Sequence, residues 1–167
     1  MADITSLILD DHDTMRRAFA ELDEPEPDPE RLADRWASLA QLLEVHADAE
    51  ETVFYPRLLR RGAHGEDETE DAISDHNKIR DAIRTAGAAA AGSDGWWQAV
   101  HDARKENSDH MAEEERGALA DFRQHADPSV RHELGEAFLA FKRDRPHAGT
   151  GLVDKDPDRY IAEHGGG

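Results

Sequence analysis

Four histidines and two glutamates are spaced so that helices would stack them in one layer. Glu50 follows His46 by four residues, and Glu114 follows His110 by the same step. Four residues along a helix is about one turn on the same face, a rise of roughly 6 Å. Each pair therefore offers an imidazole and a carboxylate to one side. His12 and His76 stand alone, each 34 residues before one of the pairs. A shift of 64 residues lays His12 on His76, His46 on His110 and Glu50 on Glu114. The same shift lays Asp11 on Asp75, Arg16 on Arg80 and Glu51 on Glu115, so the chain reads as a repeated helix pair. Mixed imidazole and carboxylate donors suit iron, and also manganese or zinc. Two metals could share Glu50 and Glu114 as bridges, each keeping two histidines. An oxo or hydroxo bridge would add a ligand and leave a position open to a small molecule.

The elements that must position these groups are helices. On one stripe lie Leu32, Trp36, Leu39, Leu43, His46, Glu50 and Val53; on another lie Trp96, Val100, Ala103, Asn107, His110, Glu114 and Gly117. The steps alternate between four and three, as one helix face requires. Ile4, Ile8, His12, Met15, Phe19 and Leu22 form a third stripe, and Ile73, His76, Ile79, Ile83 and Ala86 a fourth. No segment alternates in the manner of a strand. Helices are expected over about 3–22, from Asp28 to about Arg61 with a kink near Pro56, over 68–90 and over 96–125. The fold class is all-α: an up-down-up-down four-helix bundle with a short fifth helix and a loose C-terminal tail. The bundle domain spans 1–142, its fifth helix covers about 128–142, and 143–167 is a polar tail ending in three glycines.

Each stripe carries a histidine where a bundle core should be apolar, and two carry a glutamate one turn later. A buried carboxylate without a partner costs several kcal/mol, and a metal ion is one partner that removes the cost. The same spacing in His64/Glu68 starts in a glycine-flanked loop, and His132/Glu136 has no counterpart under the shift. Glu51 and Glu115 would replace their neighbours as bridges if the helices were rotated. Tyr55 lies beside Pro56, which disturbs the helix, but on an ideal helix it points away from His46. Carboxylate-rich di-metal bundles place an acid three residues before the histidine. Those positions here hold Leu9, Leu43, Ile73 and Asn107.

Among 167 residues there is no cysteine, which excludes disulfides, thiolate catalysis and iron–sulfur ligation. Ten histidines is a high count for this length. The net charge of −18 argues against nucleic acid and anionic membranes as partners. No apolar run approaches the ~20 residues of a membrane span, and the first residues lack a basic region followed by an apolar stretch. A cytoplasmic location is expected.

With His12, His46/Glu50, His76 and His110/Glu114 in place, the chain resembles the hemerythrin family in its bacterial HHE cation-binding form, over about residues 5–125. The segments from His46 to Pro56 and from Asp109 to Glu115 resemble it locally as well. The resemblance implies a four-helix bundle, a carboxylate-bridged pair of iron ions, and binding of dioxygen, nitric oxide or peroxide. Oxygen-carrying members have a second histidine one turn away on the third helix; here the two positions hold Ala72 and Arg80. The implied function is a carrier, sensor or scavenger of a small ligand. The alternatives are a di-iron peroxidase, catalase or nitric oxide-detoxifying enzyme, and an iron storage or delivery protein. The sequence identifies no protein partner.

Overall fold

A computed structural model describes residues 2–145 and 153–165. Four helices form the bundle: α1 (Ile4–Leu22), α2 (Pro29–Ala49), α4 (Gly65–Gly87) and α5 (Asp94–Arg116). Their starts follow from local chemistry. Asp3, Asp28 and Ser93 accept hydrogen bonds from the free N–H groups of Thr5, Glu30 and Trp96, and Pro29 occupies the first turn of α2. Gly92 adopts φ 81° in the turn before α5, a conformation that suits glycine. Among the described residues there is no strand.

The long second helix does not run straight to Arg61. After α2 the backbone widens into one π-helical stretch, Glu50–Phe54, in which Tyr55 N–H reaches back five residues to Glu50 C=O. α3 (Tyr55–Arg61) then continues through Pro56. Proline has no N–H to give to the preceding turn, and the wider turn takes up the disruption. The fourth expected helix is also divided: α5 ends at Gly117, and α6 (Ala118–His125) follows.

α7 (Pro128–Asp144) packs on α1 and α2. Its Phe138 is fully buried, which contributes on the order of 2–3 kcal/mol. Gly135 is required for the close approach: a Cβ there would sit 2.1 Å from the Ala2 carbonyl.

The expectation of a loose tail over 143–167 is corrected where the chain is described. α8 (Pro157–His164) docks on α4 and α3, with Tyr160 buried and its hydroxyl donating to the Glu51 carbonyl. Asn77 exchanges two hydrogen bonds with the Lys155 backbone, at 2.7 and 3.0 Å, and Arg84 grips Asp154. One aromatic anchor and these polar contacts hold a segment whose composition alone reads as solvated. Residues 146–152 and 166–167, with His147 among them, lie outside the described residues.

The core is two apolar clusters with a polar layer between them. Met15, Phe19, Leu39, Leu43, Ile79, Trp96 and Val100 belong to one cluster. Ile4, Ile8, Phe54, Ile73, Leu119, Phe122 and Phe138 belong to the other. Along α1 the sequence passes from Ile8 through His12 to Met15, and along α4 from Ile73 through His76 to Ile79, so the histidines mark the boundary. Among the described residues no helix is long and apolar enough to cross a membrane.

Candidate metal centre

All six residues singled out by spacing meet in this layer, each with at most 4 % of its surface exposed. The Nε2 atoms of the histidines point inward. His12 Nε2 lies 3.2 Å from Glu114 Oε2 and His46 Nε2 lies 2.9 Å from Glu50 Oε1. His76 Nε2 lies 3.3 Å from Glu50 Oε2 and 3.2 Å from His110 Nε2. Two groups of donor atoms result, each gathered within 4.8 Å: His12, His46, Glu50 and Glu114, and Glu50, His76 and His110. Glu50 belongs to both and spans them. Glu114 belongs only to the first, whereas the spacing alone suggests two equivalent bridges.

The other nitrogen of every imidazole points outward to a carboxylate, and every one of those carboxylates meets a cation. His12 Nδ1 lies 2.9 Å from Glu115, which pairs with Arg16. His76 Nδ1 lies 2.8 Å from Glu51, which pairs with Arg80 and Lys155. His46 Nδ1 lies 3.0 Å from Asp11, held by Lys142 of α7. His110 Nδ1 lies 3.9 Å from Asp75, held by Lys78. Carboxylates in this outer position fix the ring and leave the inward nitrogen free to donate its lone pair. Glu51 and Glu115 thus stand outside the cluster, and the rotated alternative in which they point inward does not occur.

Tyr55 is the residue that regular helical geometry misplaces. Its hydroxyl lies 3.1 Å from both Glu50 Oε2 and Glu114 Oε1. One extra residue in a helical turn rotates the downstream residues by roughly 100°, enough to bring Tyr55 from the far side to the layer. Pro56 is the visible signal, but it does not reveal in which sense the helix is disturbed. Lys142 and Lys155 carry no signal, because their roles depend on where α7 and the C-terminal segment dock.

Burial and the neighbouring charges shift the inner groups in opposite directions. Burial opposes ionisation of Glu50, yet His46 and His76 outweigh it and hold its carboxyl well below the usual range. At Glu114 burial and the charge of Glu50 prevail and push the carboxyl up. Burial opposes a charge on His46, but Glu50 and Asp11 push it up to about 10. Burial and the neighbouring His76 hold His110 well below its ordinary value. Burial and the two inner glutamates push the Tyr55 phenol well up, so it stays a donor.

Among the described residues, four inward atoms form no hydrogen bond of good geometry and face one another in two close pairs: His12 Nε2 with Glu114 Oε2, and His46 Nε2 with Glu50 Oε1. Buried polar atoms are normally satisfied. Two imidazole–carboxylate pairs gathered in one buried group fit a cation that would take the place of the protons between them.

The sequence profile of the hemerythrin HHE cation binding domain matches residues 3–122. The chain belongs to the hemerythrin HHE cation-binding family. The hemerythrin domain thus covers all six candidate donors, together with Tyr55 and the outer carboxylates. A relative described as a DNA nickase, from Nostoc sp. strain PCC 7120, is 24 % identical over 139 residues. That alignment takes in 83 % of this hemerythrin-family chain but only 39 % of the relative, so the chain spans about two-fifths of its length. No solved structure matches the chain.

Proposed function

We propose that the chain is a non-haem di-iron protein that binds dioxygen or a related small ligand, nitric oxide or peroxide, at a carboxylate-bridged iron pair. His12, His46, His76, His110, Glu50 and Glu114 would hold the metal. The observation that carries the reading is the convergence of four inward imidazole nitrogens on two carboxylates in a buried layer. An iron pair held there supplies redox chemistry and coordination positions for a small molecule. The chain's own residues do the rest. Glu51, Glu115, Asp11 and Asp75 orient the rings, Tyr55 donates a hydrogen bond to the inner carboxylates, and the apolar clusters above and below exclude bulk water.

The name of the Nostoc relative raises a second activity, cleavage of DNA. A net charge of −18 opposes binding of a polyanion, and the shared region is less than half of that protein. We therefore favour small-ligand binding without nucleic acid.

Metal analysis and the optical spectrum of protein purified in air test the reading. About two irons per chain with near-ultraviolet bands of a bridged ferric pair are expected. Iron that is absent and cannot be loaded into the reduced apoprotein defeats it. Titration with peroxide then separates a binder, which reaches a stable spectrum, from an enzyme, which consumes peroxide catalytically.

A further inference from the structure

The polar layer is not sealed on all sides. A cavity of about 460 Å³ lies between α4 and the α5–α6 junction, and both His110 and Glu114 line it. The donor group to which His110 belongs has three protein donors, against four in the other. The cavity reaches the centre at His110, of the three-donor group, and at Glu114, of the four-donor group. Ala72, one turn before His76, lines the same cavity; its small side chain helps to leave the space. Arg80, one turn after His76, is turned away to Glu51.

The lining is charged with one dominant sign. Glu68, Asp71, Asp75, Glu113 and Glu114 line it against Arg116; Asp75 is paired with Lys78, and Asp71 and Glu113 stand exposed at the rim. A narrow opening lined by one sign of charge focuses its field and sorts molecules by charge as they approach. Neutral diatomics and peroxide pass, hydrated divalent cations are drawn in, and small anions are repelled.

We infer that this cavity is the entrance to the centre for small molecules and for the metal itself, and that its carboxylates select cations and neutral molecules over anions. The inference rests on the metal-binding reading above and adds a route and a charge class to it.

Asp71 and Glu113 are exposed at the rim, so reversing them leaves the donors and the core untouched. The variant Asp71→Lys with Glu113→Lys is compared with Glu30→Lys with Asp34→Lys, an equal charge change on exposed positions of α2 outside the cavity. Two rates are read by stopped flow: uptake of Co²⁺ by the apoprotein, and binding of azide to the iron-loaded protein. At low ionic strength the cavity variant is expected to take up Co²⁺ about 10-fold more slowly and to bind azide about 10-fold faster, with both effects shrinking at high salt. Nitric oxide, being neutral, should bind at an unchanged rate. Damage to the fold would move the rates together, whereas a charge filter moves them in opposite directions. Equal responses from the two variants, or no response from the cavity variant, overturn the inference while the metal reading stands. A wild-type apoprotein that takes up neither Co²⁺ nor iron overturns both.

Discussion

Tyr55 gives its hydroxyl to Glu114, 59 residues away in sequence, across the floor of a buried layer that holds no other phenol among the described residues. The contact exists because the backbone widens over Glu50–Phe54. It makes Tyr55 the neutral donor facing both inner carboxylates.

Tyr55→Phe keeps the ring and removes the donor. The apoprotein should lose about 1–2 kcal/mol, since Glu114 keeps its burial and loses a partner. The metal content should match that of the parent, because the six candidate ligands are intact, while the absorption bands shift. A melting curve, a metal assay and a spectrum check the three parts.

Glu51 and Glu115 occupy equivalent places in the repeat but not equivalent surroundings. Glu51 and its partner Arg80 have side chains 0 % and 2 % exposed; Glu115 and Arg16 are 28 % and 44 % exposed. Glu51→Gln leaves the buried Arg80 guanidinium with only the more distant Asp48 as counter-charge, an effect of about 2–3 kcal/mol. Glu115→Gln should cost under about 1 kcal/mol. Both should weaken metal retention by roughly 10–100-fold, as loss of an outer ring partner does. Chemical denaturation of the apoprotein and competition with a chelator separate the two effects.

Glu68 gives a pH-dependent signature. Burial and the adjacent Asp121 push its carboxyl up to about 7. A carboxyl raised above its unfolded value contributes stability that is fully present below the unfolded pKa, near 4.5, and is lost as pH rises through about 7. Glu68→Gln should therefore melt higher than the parent at pH 8 and show no gain at pH 4. Its partial exposure limits the gain to about 1 kcal/mol, or ~2–4 °C.

Ala72→His would put an imidazole one turn before His76, in the cavity that Ala72 lines. It should slow the release of Co²⁺ to a chelator by about 10-fold or more, because the three-donor group gains a fourth. It should also slow azide binding by occupying the space. Unchanged release would show that position 72 does not reach the metal.

The convergence of the six residues was legible because helix periodicity is a strong local rule: a step of four places His46 over Glu50 whatever else the chain does. The two apolar clusters were legible in the same way, since Ile8 to His12 to Met15 is one stripe. Tyr55 was not, because a single widened turn changes the phase of everything after it, and the proline that accompanies it does not say by how much. Gly117 sat on a continuous stripe, so the break it makes between α5 and α6 was hidden by residues on both sides that keep the period. The clasp formed by Lys155, Tyr160 and Asp154 depends on tertiary docking of a segment with few apolar residues. No local pattern announces that kind of contact.

Two of the four outer carboxylates come from the other half of the chain, while Asp11 and Asp75 serve histidines of their own half. His12 near the N-terminus relies on Glu115, 103 residues on, and His76 in the second half relies on Glu51 in the first. Neither hairpin carries a complete set, so the centre cannot assemble until α1 has met α5, through a contact 103 residues apart in sequence. Contacts of such long sequence separation are the slow ones in folding. A metal ion held by all six residues would then require that both halves have found each other.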